Sequence, residues 1–106
     1  MVSILIPTYN YNVTTLTTKI HAQIKSLDIP FEIIIFDDGS KSFLNEELNL
    51  SHTNYIISDK NLGRVAARKF LANKAEYEWL LFLDADVLPK NKTFVKEYVM
   101  AISSNC

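Results

Sequence analysis

At 106 residues, with 48% hydrophobic and 22% charged side chains, the chain has the make-up of one soluble globular domain or less. A chain of this size buries about 60–70% of the surface its unfolded form exposes, enough for a modest core. A formal net charge of −1 gives no basic surface for nucleic acid and no acidic disordered tail, and no apolar run approaches the ~20 residues that span a bilayer.

Met1 leads directly into Val2-Ser3-Ile4-Leu5-Ile6-Pro7. With no basic region and no small-residue cleavage site there, no ordinary signal peptide is expected. Val2–Ile6 is a near-continuous apolar run, the pattern of a strand buried on both faces. Leu16, Ile20, Ile24 and Leu27 then recur at helical spacing and predict a helix from about Thr14 to Ser26. A second apolar run, Phe31–Phe36, predicts the next strand. The stretch Lys41–Asn49 carries a poor signal for a short helical turn, and Tyr55–Ser58 reads as a third strand. Ala66, Ala67, Phe70, Leu71 and Ala75 predict a helix over about Arg64–Lys74, and Trp79–Leu83 the fourth strand. Beyond Pro89, the spacing of Phe94, Val95, Tyr98, Val99 and Ile102 predicts a last helix. There are no internal repeats, low-complexity segments or linkers. Cys106 is the single cysteine, so no internal disulfide forms and a reducing, cytoplasmic setting fits.

Strands alternating with helices predict an α/β fold: an open, mostly parallel four-stranded sheet with flanking helices. Ligands of such sheets bind beyond the carboxyl ends of the strands. Three strands deliver their most polar residues there: Pro7-Thr8-Tyr9-Asn10, Asp37-Asp38-Gly39-Ser40 and Asp84-Ala85-Asp86. Carboxylates two apart on an extended segment face the same side and repel, which suits a divalent cation shared with a phosphate. The bland alternative is a turn in which one aspartate caps the next segment. Asp37 and Asp38 point opposite ways, so one can meet a ligand while the other fixes the loop, with Gly39 supplying a positive φ; a plain Asp-Gly turn would read the same. Gly39 and Gly63 are the only glycines, and Arg64 and Arg68 the only arginines. Four apart at the start of a helix, the arginines share one face and suit a pyrophosphate. Otherwise they are surface cations pairing with an acid such as Asp59. His21 and His52 lack metal-ligand spacing, Tyr77, Trp79 and Tyr98 read as packing residues, and the lysines as a solvated surface.

Taken in order, these segments resemble family 2 glycosyltransferases. Val2 through Asn10 resembles the family's opening strand, and Ile33 through Ser40 its V-D-D-G-S segment. Asn61-Leu62-Gly63 through Ala67-Arg68-Lys69 is similar to N-x-G-x-x-x-A-R-N, with Lys69 in place of the last Asn. Leu81 through Asp86 resembles the family's D-x-D, continued by Val87-Leu88-Pro89. The resemblance implies the nucleotide-binding half of a GT-A, Rossmann-like fold, a nucleoside-diphosphate sugar donor, often UDP-linked, and Mg²⁺ or Mn²⁺. It implies Pro7, Thr8 and Tyr9 lining the nucleoside pocket and Asp38 at the base, with Asp37 a lesser candidate. Arg68, helped by Arg64, would lie near the diphosphate, Asp84 near the ribose or metal, and Asp86 on the metal. It implies transfer of the sugar to an acceptor hydroxyl, of a glycan or lipid-linked acceptor, with inversion at the anomeric carbon. By analogy the setting is polysaccharide assembly at the cytoplasmic face of a bacterial membrane.

In that family the acceptor half, with its general base, follows the D-x-D. Residues 1–106 therefore read as a single partial domain, truncated before the acceptor half, that binds donor without turnover. Uncovered apolar surface on such a half-fold predicts self-association. Two other classes compete with this reading. Leu81–Val87 also fits the motif of haloacid-dehalogenase-like phosphatases, with Asp84 as nucleophile and Asp86 as acid/base, but those enzymes carry it on the first strand. A non-catalytic nucleotide-binding or interaction module is the stronger alternative. A dinucleotide fold is disfavoured because Pro7–Asn12 holds no glycine.

Overall fold

In a computed structural model the chain is described at residues 1–9, 11–39, 50–84 and 94–104. The described elements are β1 (Val2–Thr8), α1 (Thr14–Lys25), β2 (Phe31–Asp37), β3 (Thr53–Ile57), α2 (Arg64–Lys74), β4 (Trp79–Phe82) and α3 (Phe94–Ser104). The short helical turn expected within Lys41–Asn49 lies outside the described residues.

The four strands form one sheet in the order β3-β2-β1-β4, with every neighbouring pair parallel. β1 and β2 pair along their whole length, from Val2 opposite Phe31 to Thr8 opposite Asp37. β4 pairs only with Val2–Leu5. This short overlap explains how Pro7 sits in a central strand. The Leu5 carbonyl accepts from Leu83 N–H on the β4 side, and the Thr8 carbonyl accepts from Asp38 N–H on the β2 side. By that alternation the nitrogen of Pro7 faces the β4 side, past the last rung, where a missing N–H costs no ladder bond.

Burial on both sheet faces produces the continuous apolar runs. On one face Val2, Ile4, Ile6, Ile33 and Ile35 pack with Val13, Leu16, Ile20 and Ile24 of the α1 segment and with Val95 and Val99 of α3. On the other face Leu5, Ile34 and Phe36 pack against Ala67 and Leu71 of α2. The result is a three-layer α/β/α arrangement.

Polar residues at the amino end of the sheet are structural. Ser3 is fully buried; its hydroxyl donates to Glu32 and accepts from Tyr77 N–H, while Glu32 also accepts from Glu76 N–H. These bonds fix the entry to β4. His21, at the α1–sheet interface, lies with Nε2 3.1 Å from the Ser51 carbonyl and packs edge-on against Phe31. Trp79 and Tyr98 are packing residues as well. Tyr98 donates its hydroxyl to the Leu80 carbonyl at 2.8 Å, and burial pushes its phenol pKa up.

Candidate functional site

At the carboxyl end of β1, Thr8 is buried and its hydroxyl donates to the Tyr11 carbonyl at 3.2 Å. Tyr9 and Tyr11 are among the exposed large hydrophobic side chains of the described residues, at 47% and 46%. Asn12 then accepts from Thr14 N–H through its side chain at 2.8 Å, steadying the start of α1.

At the end of β2 the two aspartates part company, as strand alternation requires. Asp37 is fully buried and accepts the Tyr55 hydroxyl at 2.6 Å, bracing β2 against β3. Asp38 faces the carboxyl edge. Its two carboxylate oxygens accept Leu62 N–H at 2.6 Å and Gly63 N–H at 3.0 Å, so it holds the loop that opens α2. A carboxylate there also meets the positive end of the helix dipole. Gly39 turns the chain with φ +79°, and Gly63, next to the first residue of α2, has φ +91° and ψ 161°.

α2 presents Arg64 and Arg68 on one face toward Asp84, two residues past the end of β4. Asp84 Oδ1 lies 3.6 Å from Arg68 Nη1 and 3.9 Å from Arg64 Nη2. The three side chains differ in freedom: Arg64 is 76% exposed, Asp84 49% and Arg68 37%. The arginines thus share Asp84, sixteen to twenty residues on in sequence, rather than a nearby acid such as Asp59. Exposed pairs at such distances contribute little to stability. What matters is their placement, two cations and one anion at a single opening.

These elements enclose an open cleft of about 500 Å³, within the range of small-molecule sites. It is lined by Pro7, Thr8 and Tyr9 from β1 and its turn, Asp38 after β2, Arg64 of α2 and Asp84 after β4. Of the residues singled out from sequence, Asp37 and Arg68 do not line it. Asp37 is turned to Tyr55, and Arg68 reaches it only through Asp84. Asp86, the second residue of the D-x-D, lies outside the described residues, as do Asn10 and Ser40. Tyr11, Asn61, Gly63 and Ala67 also line the cleft, beyond the site residues expected from sequence. The N-x-G spacing carried the signal for Asn61 and Gly63; Tyr11 falls between β1 and α1, where no periodicity places it.

Among the described residues no group of three or more His, Cys, Asp or Glu is arranged to hold a metal ion. Asp84 has the right chemistry for one: a half-exposed carboxylate opening on the cleft, of the kind hard divalent cations share with phosphate oxygens. No described helix is long and apolar enough to cross a membrane.

Comparison with known proteins agrees with the geometry. Glycosyl transferase family 2 matches the chain over residues 3–105. A Haemophilus influenzae protein described as an uncharacterized glycosyltransferase is 36% identical over 89 residues, covering 81% of this chain and 29% of its own length. The crystal structure of S. aureus TarS 1-349 superposes with a TM-score of 0.76 at 26% identity, over 97% of this chain and 32% of that one. The chain therefore spans about a third of the length of these relatives, and its all-parallel four-stranded sheet with flanking helices is that of a GT-A, Rossmann-like fold.

Proposed function

The chain belongs to glycosyl transferase family 2, and on that footing we propose that the cleft binds a nucleoside-diphosphate sugar, with UDP as the nucleotide. One observation carries this reading: residues in or just beyond four separate elements, β1, β2, α2 and β4, converge on a single cleft at the carboxyl edge of a parallel sheet. The half-exposed aromatic ring of Tyr9, with Pro7 and Thr8 beside it, offers a wall for the nucleoside. Arg64, exposed and only loosely paired, is the cation best able to turn onto a diphosphate. Asp38 shapes the loop at the back of the cleft.

Asp84 and Asp86 would hold Mg²⁺ or Mn²⁺, which neutralises charge on the departing diphosphate when bound. The chain's own residues supply the rest of the donor site. Tyr9 and Asp38 orient the nucleoside, and Arg64 and Arg68 offset phosphate charge. The whole enzyme's reaction would be attack of an acceptor hydroxyl on the anomeric carbon, in line with the leaving nucleoside diphosphate and with inversion. The base that deprotonates the acceptor would belong to the portion of the longer relatives that this chain does not cover.

Titration calorimetry tests this reading. UDP is expected to bind in the presence of Mn²⁺ and to lose at least about tenfold in affinity, roughly 1.4 kcal/mol, in EDTA or on Asp86→Ala. Binding that ignores both changes would remove the metal from the site, and no binding under any condition would overturn the donor reading.

A further inference from the structure

The two arginines facing Asp84 are not equivalent, and the difference comes from a residue of β4. The Arg68 guanidinium lies over the ring of Phe82, 4.7 Å from its centroid, while the same side chain reaches Asp84 with Nη1. Phe82 is partly buried against the α2-side core, so its ring is a fixed platform. Arg64 lies over no ring among the described residues, is twice as exposed as Arg68, and reaches the same Asp84 oxygen from farther away. A guanidinium stacked on an aromatic face keeps its in-plane N–H groups free to donate sideways. Such stacking holds Arg68 in place without consuming its hydrogen bonds.

We propose that Phe82 is a positioning residue that pins Arg68, and through Arg68 the Asp84 carboxylate, at the mouth of the cleft. The pair of arginines is thereby divided into a fixed one and a free one. Arg68 stays on Asp84 whether or not the cleft is filled; Arg64 exchanges Asp84 for the ligand's phosphates. The functional part of this division rests on the donor-site reading above; the pinning itself does not.

Two measurements on the 106-residue chain test it. The first needs no ligand: the Arg68 Nε–Hε resonance in a ¹⁵N spectrum. Under the ring of Phe82 it is expected to lie displaced from the free-arginine position, to stay displaced in Phe82→Tyr, and to return to the free position in Phe82→Leu. A wild-type Arg68 signal at the free position overturns the inference. The second is UDP affinity with Mn²⁺. Phe82→Leu, which keeps an apolar side chain, is expected to weaken binding by about two- to fivefold, whereas Phe82→Tyr stays within about twofold of wild type. A tyrosine variant as weak as the leucine variant, with both melting like wild type, overturns the aromatic role. If the wild-type chain binds no UDP, the donor reading fails, and the Arg68 resonance alone decides whether Phe82 positions it.

Discussion

Replacing Asp38 with alanine is expected to cost about 3 kcal/mol of folding stability and to reduce UDP binding more than tenfold. Asp38 is 6% exposed, and both of its carboxylate oxygens are committed, to Leu62 N–H and Gly63 N–H. Hydrogen bonds to a charged acceptor are worth more than neutral ones, and truncation leaves two part-buried donors without their acceptor. The loop they belong to carries Asn61 and Gly63 to the cleft and sets the start of α2, hence the direction of Arg64. Binding should therefore fall further than the loss of one lining side chain would explain. Asp38→Asn should be intermediate: the amide keeps one acceptor oxygen but turns a donor toward the second N–H. Thermal melts and UDP titration of the two variants check the order. An Asp38→Ala chain with wild-type stability would show that the loop is held by something other than this carboxylate.

The second large effect is expected at Gly39. Its φ of +79° lies where side-chain-bearing residues are rare, and a Cβ there would stand 2.9 Å from the Lys60 carbonyl carbon and 3.0 Å from Asn61 N. Those are backbone atoms of the same loop that Asp38 holds, so they do not yield as a flexible side-chain tip would. Gly39→Ala combines backbone strain of about 1–3 kcal/mol with displacement of residues 60–61, and should destabilise the chain by about 3–4 kcal/mol in denaturant unfolding. Gly63→Ala is the control. Its φ of +91° is also positive, yet nothing lies within 4 Å of its would-be Cβ, so only the backbone strain is incurred. The two substitutions should therefore differ, with Gly39→Ala the more severe. Equal losses would mean that the close approach of residues 39 and 60 is not maintained in solution.

Most of the architecture was legible because the two central strands are buried on both faces, which forces continuous apolar runs at Val2–Ile6 and Phe31–Phe36 and leaves little ambiguity. The least accurate strand was β3. It spans Thr53–Ile57, starting two residues and ending one residue before the expected Tyr55–Ser58, because no residue of this outer strand is buried and Asn54 interrupts the apolar pattern. The convergence of polar clusters on one edge followed from parallel pairing alone. The order of the strands did not, since nothing local in Trp79–Leu83 says that it lies beside β1.

At the site, strand alternation predicted that Asp37 and Asp38 would separate. Which of them would turn to Tyr55 depends on a contact across the sheet that sequence spacing does not encode. The same holds for Asp84. The i, i+4 spacing of Arg64 and Arg68 put them on one face, but their shared partner comes from the segment after β4 through tertiary packing. The platform under Arg68 was hidden for a similar reason: Phe82 belongs to an apolar run whose members all look alike until the helix facing each one is known.

Whether the carboxyl-edge cleft is the nucleotide site is decided by amide chemical-shift mapping with UDP and Mg²⁺. The shifted signals are expected to cluster at residues 8–9, 38–39, 61–64 and 84, with Mn²⁺ in place of Mg²⁺ broadening those nearest Asp84 most. Shifts gathered instead at the amino end of the sheet, around Phe31, His52, Glu76 and Tyr77, would contradict it.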